Sequence, residues 1–69
     1  MSIARKIKQL NNNCFSKTRE SARNFAVKTE VVSNKKSAWD RYFFDDGSIL
    51  IVGYKIGWGS FINVRHKAA

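Results

Sequence analysis

Six cations crowd the first third of the chain: Arg5, Lys6, Lys8, Lys17, Arg19 and Arg23. Lys35 and Lys36 add a basic pair further on. Side chains of this type track phosphates, because each neutralised phosphate releases condensed counterions. The sequence therefore points to a polyanion, and a solvated helix face is the competing explanation. A second chemistry-bearing set is aromatic. Trp39, Tyr42, Phe43, Phe44, Tyr54, Trp58 and Phe61 are more rings than one face of a small sheet can bury. Adjacent residues on a strand point to opposite faces, so Phe43 and Phe44 cannot share a core covered on one side only. Surplus rings can stack nucleobases or form a protein contact. Trp58, set between Gly57 and Gly59, is the ring most exposed by its surroundings. The expected nucleic-acid or partner-binding residues are thus these eight cations and Trp58.

Other constellations are weaker. Gly53, Gly57 and Gly59 lack the spacing of a phosphate-binding loop and read as turn and bulge glycines. Asp45 and Asp46 read as turn formers beside Gly47, and Asp40 as the surface partner of a Lys or Arg. One Cys and one His cannot build a four-ligand zinc site. No catalytic, metal or cofactor-binding residues are expected. The lone Cys14 forms no internal disulfide, which suits a reducing compartment and a cytoplasmic location.

The chain must position these residues with little material. Its 69 residues make one small domain, with 43% apolar and 13% aromatic content, too rich for a disordered basic tail. A domain this small buries only about 60% of its unfolded surface, so a large active-site cavity is not expected. The formal charge is +8, from 13 Lys and Arg against 5 Asp and Glu. The longest apolar run, Ile49 to Val52, falls far short of the roughly 20 residues that span a bilayer.

Residues 2–12 read as an amphipathic helix, with Ser2 as N-cap and Ile3, Ile7 and Leu10 as the buried stripe. Cys14 would extend that stripe. Asn11 to Asn13 end or fray the helix. Then either a second helix follows, with Ala22 and Phe25 inward, or one helix runs to about Asn24. From Phe25 the period becomes two, placing Phe25, Val27, Thr29 and Val31 on one face. Two β-rich runs around Asp45-Asp46-Gly47 predict a hairpin, with a two- or three-residue loop. A last strand runs from Phe61 to about residue 66, and residues 67–69 form a loose tail. The fold class is α+β: an N-terminal helical segment (about 2–24) packed on a three- to four-stranded antiparallel meander (about 25–66). If the sheet keeps a second apolar face, a homodimer is the natural way to bury it.

Two resemblances bear on function. Arg65-His66 at the end of a terminal strand resembles the ribosome-dependent RNase toxins. That likeness implies His66 as general acid or base, with Arg41, Arg65 or Tyr54 stabilising charge. The stretch from Trp39 to Leu50 resembles short, mostly uncharacterised bacteriophage accessory proteins, in which a W-x-R-Y-x-F strand turns at DGS. That resemblance implies a small effector of the bacterial cytoplasm that binds a host enzyme or nucleic acid. The leading expectation is a small, basic, non-enzymatic protein that contacts nucleic acid through its Lys/Arg-rich N-terminal face. The alternatives are an effector docking on an acidic host protein, and ribonuclease activity at His66.

Overall fold

A computed structural model describes residues 2–12 and 14–66. Two helices, α1 (Ile3–Leu10) and α2 (Phe15–Phe25), precede four strands: β1 (Lys28–Ser33), β2 (Ser37–Phe43), β3 (Ser48–Lys55) and β4 (Gly59–His66). Every neighbouring strand pair is antiparallel, in the order β1-β2-β3-β4, so the sheet is a simple meander. The expected tail at 67–69 lies outside the described residues.

Helix α1 begins where three of its free N–H groups find acceptors. Ser2 Oγ accepts from Arg5 N–H at 3.1 Å, as an N-cap does. The other two acceptors come from the hairpin at the far end of the sequence: Asp46 accepts from Ile3 N–H at 2.8 Å, and Ser48 Oγ from Ala4 N–H at 3.2 Å. Asp46 is therefore more than a turn former. Its carboxylate holds the positive end of α1 against the β2–β3 turn. The helix ends at Asn11, whose side chain donates to Ile7 O and to Ser21 Oγ on α2. Asn12 turns the chain in the left-handed region at φ 51°. Two helices form, and Cys14 is the exposed N-cap residue of the second, not part of a buried stripe.

The core joins Ala4, Ile7 and Ala22 of the helices to Tyr42, Phe44, Leu50 and Val52 of the sheet region. Two expected core residues fall outside it. Leu10 is 71% exposed and Phe25 68% exposed. Helix α1 turns its Ile3, Ala4 and Ile7 edge to the sheet and stops at Leu10, which leaves Leu10 beyond the layer. Phe25 is the last residue of α2 and not the first of a strand, so its face is set by the helix. The inward stripe of α2 is Phe15, Thr18, Ala22 and then Ala26.

The hairpin loop is the three-residue one. Phe44 N–H donates to Ser48 O, Gly47 N–H donates to Phe44 O, and Gly47 takes φ 86°. That is a turn closed by a left-handed residue, which glycine adopts without steric cost. The register follows as Phe43↔Ile49, Arg41↔Ile51 and Trp39↔Gly53.

Asp46 also sets an acid limit. Hydrogen bonds from the Ser48 hydroxyl, then from the Ile3 and Ser48 N–H groups, hold its pKa down at about 2, against an ordinary 3.8. A depressed folded pKa gives stability that is complete above the ordinary value and lost as pH falls towards 2. Thermal melts between pH 6 and pH 2 are expected to show this loss in the wild type. Asp46→Asn should melt lower at pH 6 and lose less on acidification. Parallel melting curves for the two proteins across that window would show that Asp46 does not hold α1.

Candidate nucleic-acid interface

Both helices lie on one face of the sheet, packed against β3 and β4. Side chains alternate along each strand, and the register sorts them. The helix-bearing face carries the rows Val31–Asp40–Val52–Ile62 and Thr29–Tyr42–Leu50–Val64. The opposite face carries, beyond a terminal Ser37–Lys55–Gly59 row, three rows: Val32–Trp39–Gly53–Phe61, Glu30–Arg41–Ile51–Asn63 and Lys28–Phe43–Ile49–Arg65. No described element covers this second face. Trp39, Arg41, Phe43, Ile49, Ile51 and Arg65 line one shallow depression on it. All but Arg65 are half-buried, and Arg65 is exposed.

The first row is shaped by a glycine. A Cβ on Gly53 would lie 2.4 Å from Trp39 Cβ, 2.7 Å from Ala38 O and 2.7 Å from Phe61 Cζ. The Phe61 ring therefore lies across Gly53 beside Trp39. Gly53 sits inside a continuous ladder, so it is neither a turn nor a bulge residue as its spacing had suggested. Gly57 and Gly59 do serve the β3–β4 turn, at φ 82° and 104°. The third row holds a charge on a ring: Lys28 Nζ lies 5.5 Å from the Phe43 centroid, within cation–π range.

The expected site residues fall into separate patches. Arg5 and Lys8 border the α1–β4 edge with Val64, whereas Lys6 faces the other way, towards Leu10, Phe25 and Asp45. Lys17 is exposed on α2, and Arg19 and Arg23 lie together on that helix. Lys35, Lys36 and Trp58 lie at one end of the sheet, where Ile56 N–H donates to Lys36 O at 2.8 Å. Trp58 is 76% exposed there. Arg19 has an internal partner, its Nε lying 3.0 Å from Asp40 Oδ2. The buried Tyr42 hydroxyl donates to the same oxygen at 3.0 Å, and burial pushes its pKa above the ordinary value. Asp40 thus does pair with an arginine, but as the buried centre of a small network and not at the strand surface.

Sequence reasoning missed the uncovered face as a unit. Its signal was the odd-numbered set Trp39, Arg41 and Phe43, set against Ile49 and Ile51, once the register is known. Of the residues of the RNase resemblance, Arg41 and Arg65 line the same depression, and His66 and Tyr54 do not join them. Arg65 and His66 are consecutive on β4 and project to opposite faces; Arg41 shares the face of Arg65. Tyr54 is on the face of His66 but at the other end of β3, where it pairs with Ser60 while His66 pairs with Ser48. Among the described residues no three His, Cys, Asp or Glu side chains come together to hold a metal, and no helix is long and apolar enough to cross a membrane. No family model, no curated protein and no solved structure matches the chain.

Proposed function

We propose that the protein is a small basic binding module for nucleic acid. The observation that carries this reading is the lack of charge compensation. Of the twelve Lys and Arg among the described residues, only Arg19 and Lys28 lie within 4.0 Å of a described carboxylate, so ten are uncompensated. Those ten lie on both helices, at the turn end of the sheet and on its open face, so a phosphate chain can meet cations from several directions.

The test is a binding titration with a duplex and a single strand at about 50 and 200 mM salt. Log affinity is expected to fall with log salt by about 0.9 per duplex phosphate contacted, or about 0.7 per single-strand phosphate. Replacing Arg5, Lys6 and Lys8 together by Gln should weaken binding and flatten the slope. Absence of binding at the lower salt would overturn this reading. A second reading rests on Tyr54, Ile56 and Trp58, which are exposed by 53%, 67% and 76%. An apolar end that also carries Lys35, Lys36 and Lys55 suits an acidic protein surface, such as that of a host enzyme bound by a phage effector. That reading expects a stable complex with one acidic protein and little affinity for generic nucleic acid.

A further inference from the structure

We propose that the uncovered sheet face is a site for single-stranded nucleic acid, with Trp39 as its principal stacking platform and Arg41 and Arg65 as its phosphate contacts. This inference rests on the nucleic-acid reading and names its site and substrate class.

The face joins two chemistries that a flexible polyanion with flat bases requires. Rings lie in its outer rows: Trp39 with Phe61 in one, Phe43 in the other. Every base has a π-face, so such rings accept bases with little regard to sequence. Arg41 stands between Trp39 and Phe43 on β2, and Arg65 closes the Phe43 row at the β4 edge. Neither arginine has a described carboxylate within 4.0 Å. Trp39 and Phe43 are four residues apart on one strand, about 13 Å at 3.3 Å per residue. An extended single strand can bridge that distance with one nucleotide between two stacked bases, its backbone passing Arg41. A duplex has its bases already stacked on one another and cannot use the rings. Lys28, over Phe43, can yield the ring to a base and still reach a phosphate, since its stem is long and flexible.

Charge argues against a second copy of the chain as the occupant. Glu30 is the one carboxylate in the three rows, against Lys28, Arg41 and Arg65. Two such faces brought together would join net charges of the same sign, which disfavours association.

Trp58→Phe leaves Trp39 as the single tryptophan and a direct reporter. This variant is titrated with a single-stranded pyrimidine 10-mer and with a 10-base-pair duplex at about 100 mM salt. The single strand is expected to quench Trp39 and to bind at least about ten times tighter than the duplex. In the chain otherwise unchanged, Trp39→Leu is expected to weaken single-strand binding roughly 5- to 150-fold, the range for one stacked base. Arg41→Gln, which removes the charge and leaves the core untouched, should lower the single-strand salt slope by about 0.7. Circular dichroism confirms that each variant is folded. Equal affinity for both nucleic acids, unaffected by Arg41→Gln but lowered by the Arg5, Lys6 and Lys8 replacements, overturns this site and leaves the broader reading standing. No binding of either nucleic acid overturns both. Light scattering that shows a dimer, dissolved by Phe43→Asp and unable to bind single strands, gives the face to a second copy instead.

Discussion

Leu50→Ala is expected to cost about 3 kcal/mol of folding stability, within the usual range of 2–5 for a buried leucine. Leu50 is fully buried, on the inner strand β3, with Tyr42 and Val64 beside it across the sheet. The helices close the other side of the core with Ala4, Ile7 and Ala22. Two of those three are alanines, too short to collapse into the space a leucine leaves, so the cavity term stays large. A domain of this length has on the order of 3–10 kcal/mol in total, at about 0.05–0.15 per residue. The variant is therefore expected to melt roughly 12–24 °C lower, or to be unfolded at 37 °C. Leu10→Ala is the internal control. Leu10 belongs to the same predicted stripe as Ile3 and Ile7 yet is 71% exposed, so its replacement should change stability by less than about 0.5 kcal/mol. Urea titrations of the two variants separate the cases. Similar losses would mean that α1 is rotated from the orientation described.

That contrast shows where the sequence was legible. The period-two run of β2, the glycine-bearing turn and the apolar run of β3 are local signals, and they yielded the hairpin and the α+β class directly. Ser2 and the asparagine run marked the two ends of α1 for the same reason. Helix faces are different. Which third of a short helix is buried depends on where the sheet lies, and a stripe of three apolar residues tolerates a rotation that ejects one of them. Leu10 and Phe25 are the residues ejected. The links across the chain were not legible either. Asp46 holding Ile3 N–H, and Arg19 meeting Asp40 and Tyr42, join residues more than 20 positions apart through a topology that no local pattern encodes. The candidate site suffered most. Cations announce themselves singly, so eight of them were found one by one. The open face is defined by register, and its Trp39, Arg41 and Arg65 come together only when three strands are aligned.

Gly53→Val is expected to be the most disruptive change on that open face, at about 1–3 kcal/mol for overpacking, and more if the strand must move. A β-branched residue usually favours a strand, so propensity alone predicts the opposite sign. Geometry decides. The first carbon of any side chain would meet Ala38 O at 2.7 Å, and that atom is backbone in the neighbouring strand, which cannot step aside cheaply. Phe61 can swing away, since it is the far end of a ring that blocks the site, yet in swinging it leaves Trp39. The substitution therefore strikes two levels at once. It strains the β2–β3 ladder at its Trp39↔Gly53 pair, and it breaks up the aromatic row that the ladder supports. Phe61→Ala tests the second effect without the first: it removes the ring and leaves the backbone contact unchanged. If strain dominates, Gly53→Val in a Phe61→Ala background remains destabilised by more than about 1 kcal/mol relative to Phe61→Ala. Full recovery in the double variant would locate the whole cost in the ring and none in the strand pairing. Single-strand affinity, measured on whichever variants stay folded, then shows whether Phe61 contributes to the platform beyond holding Trp39 in place.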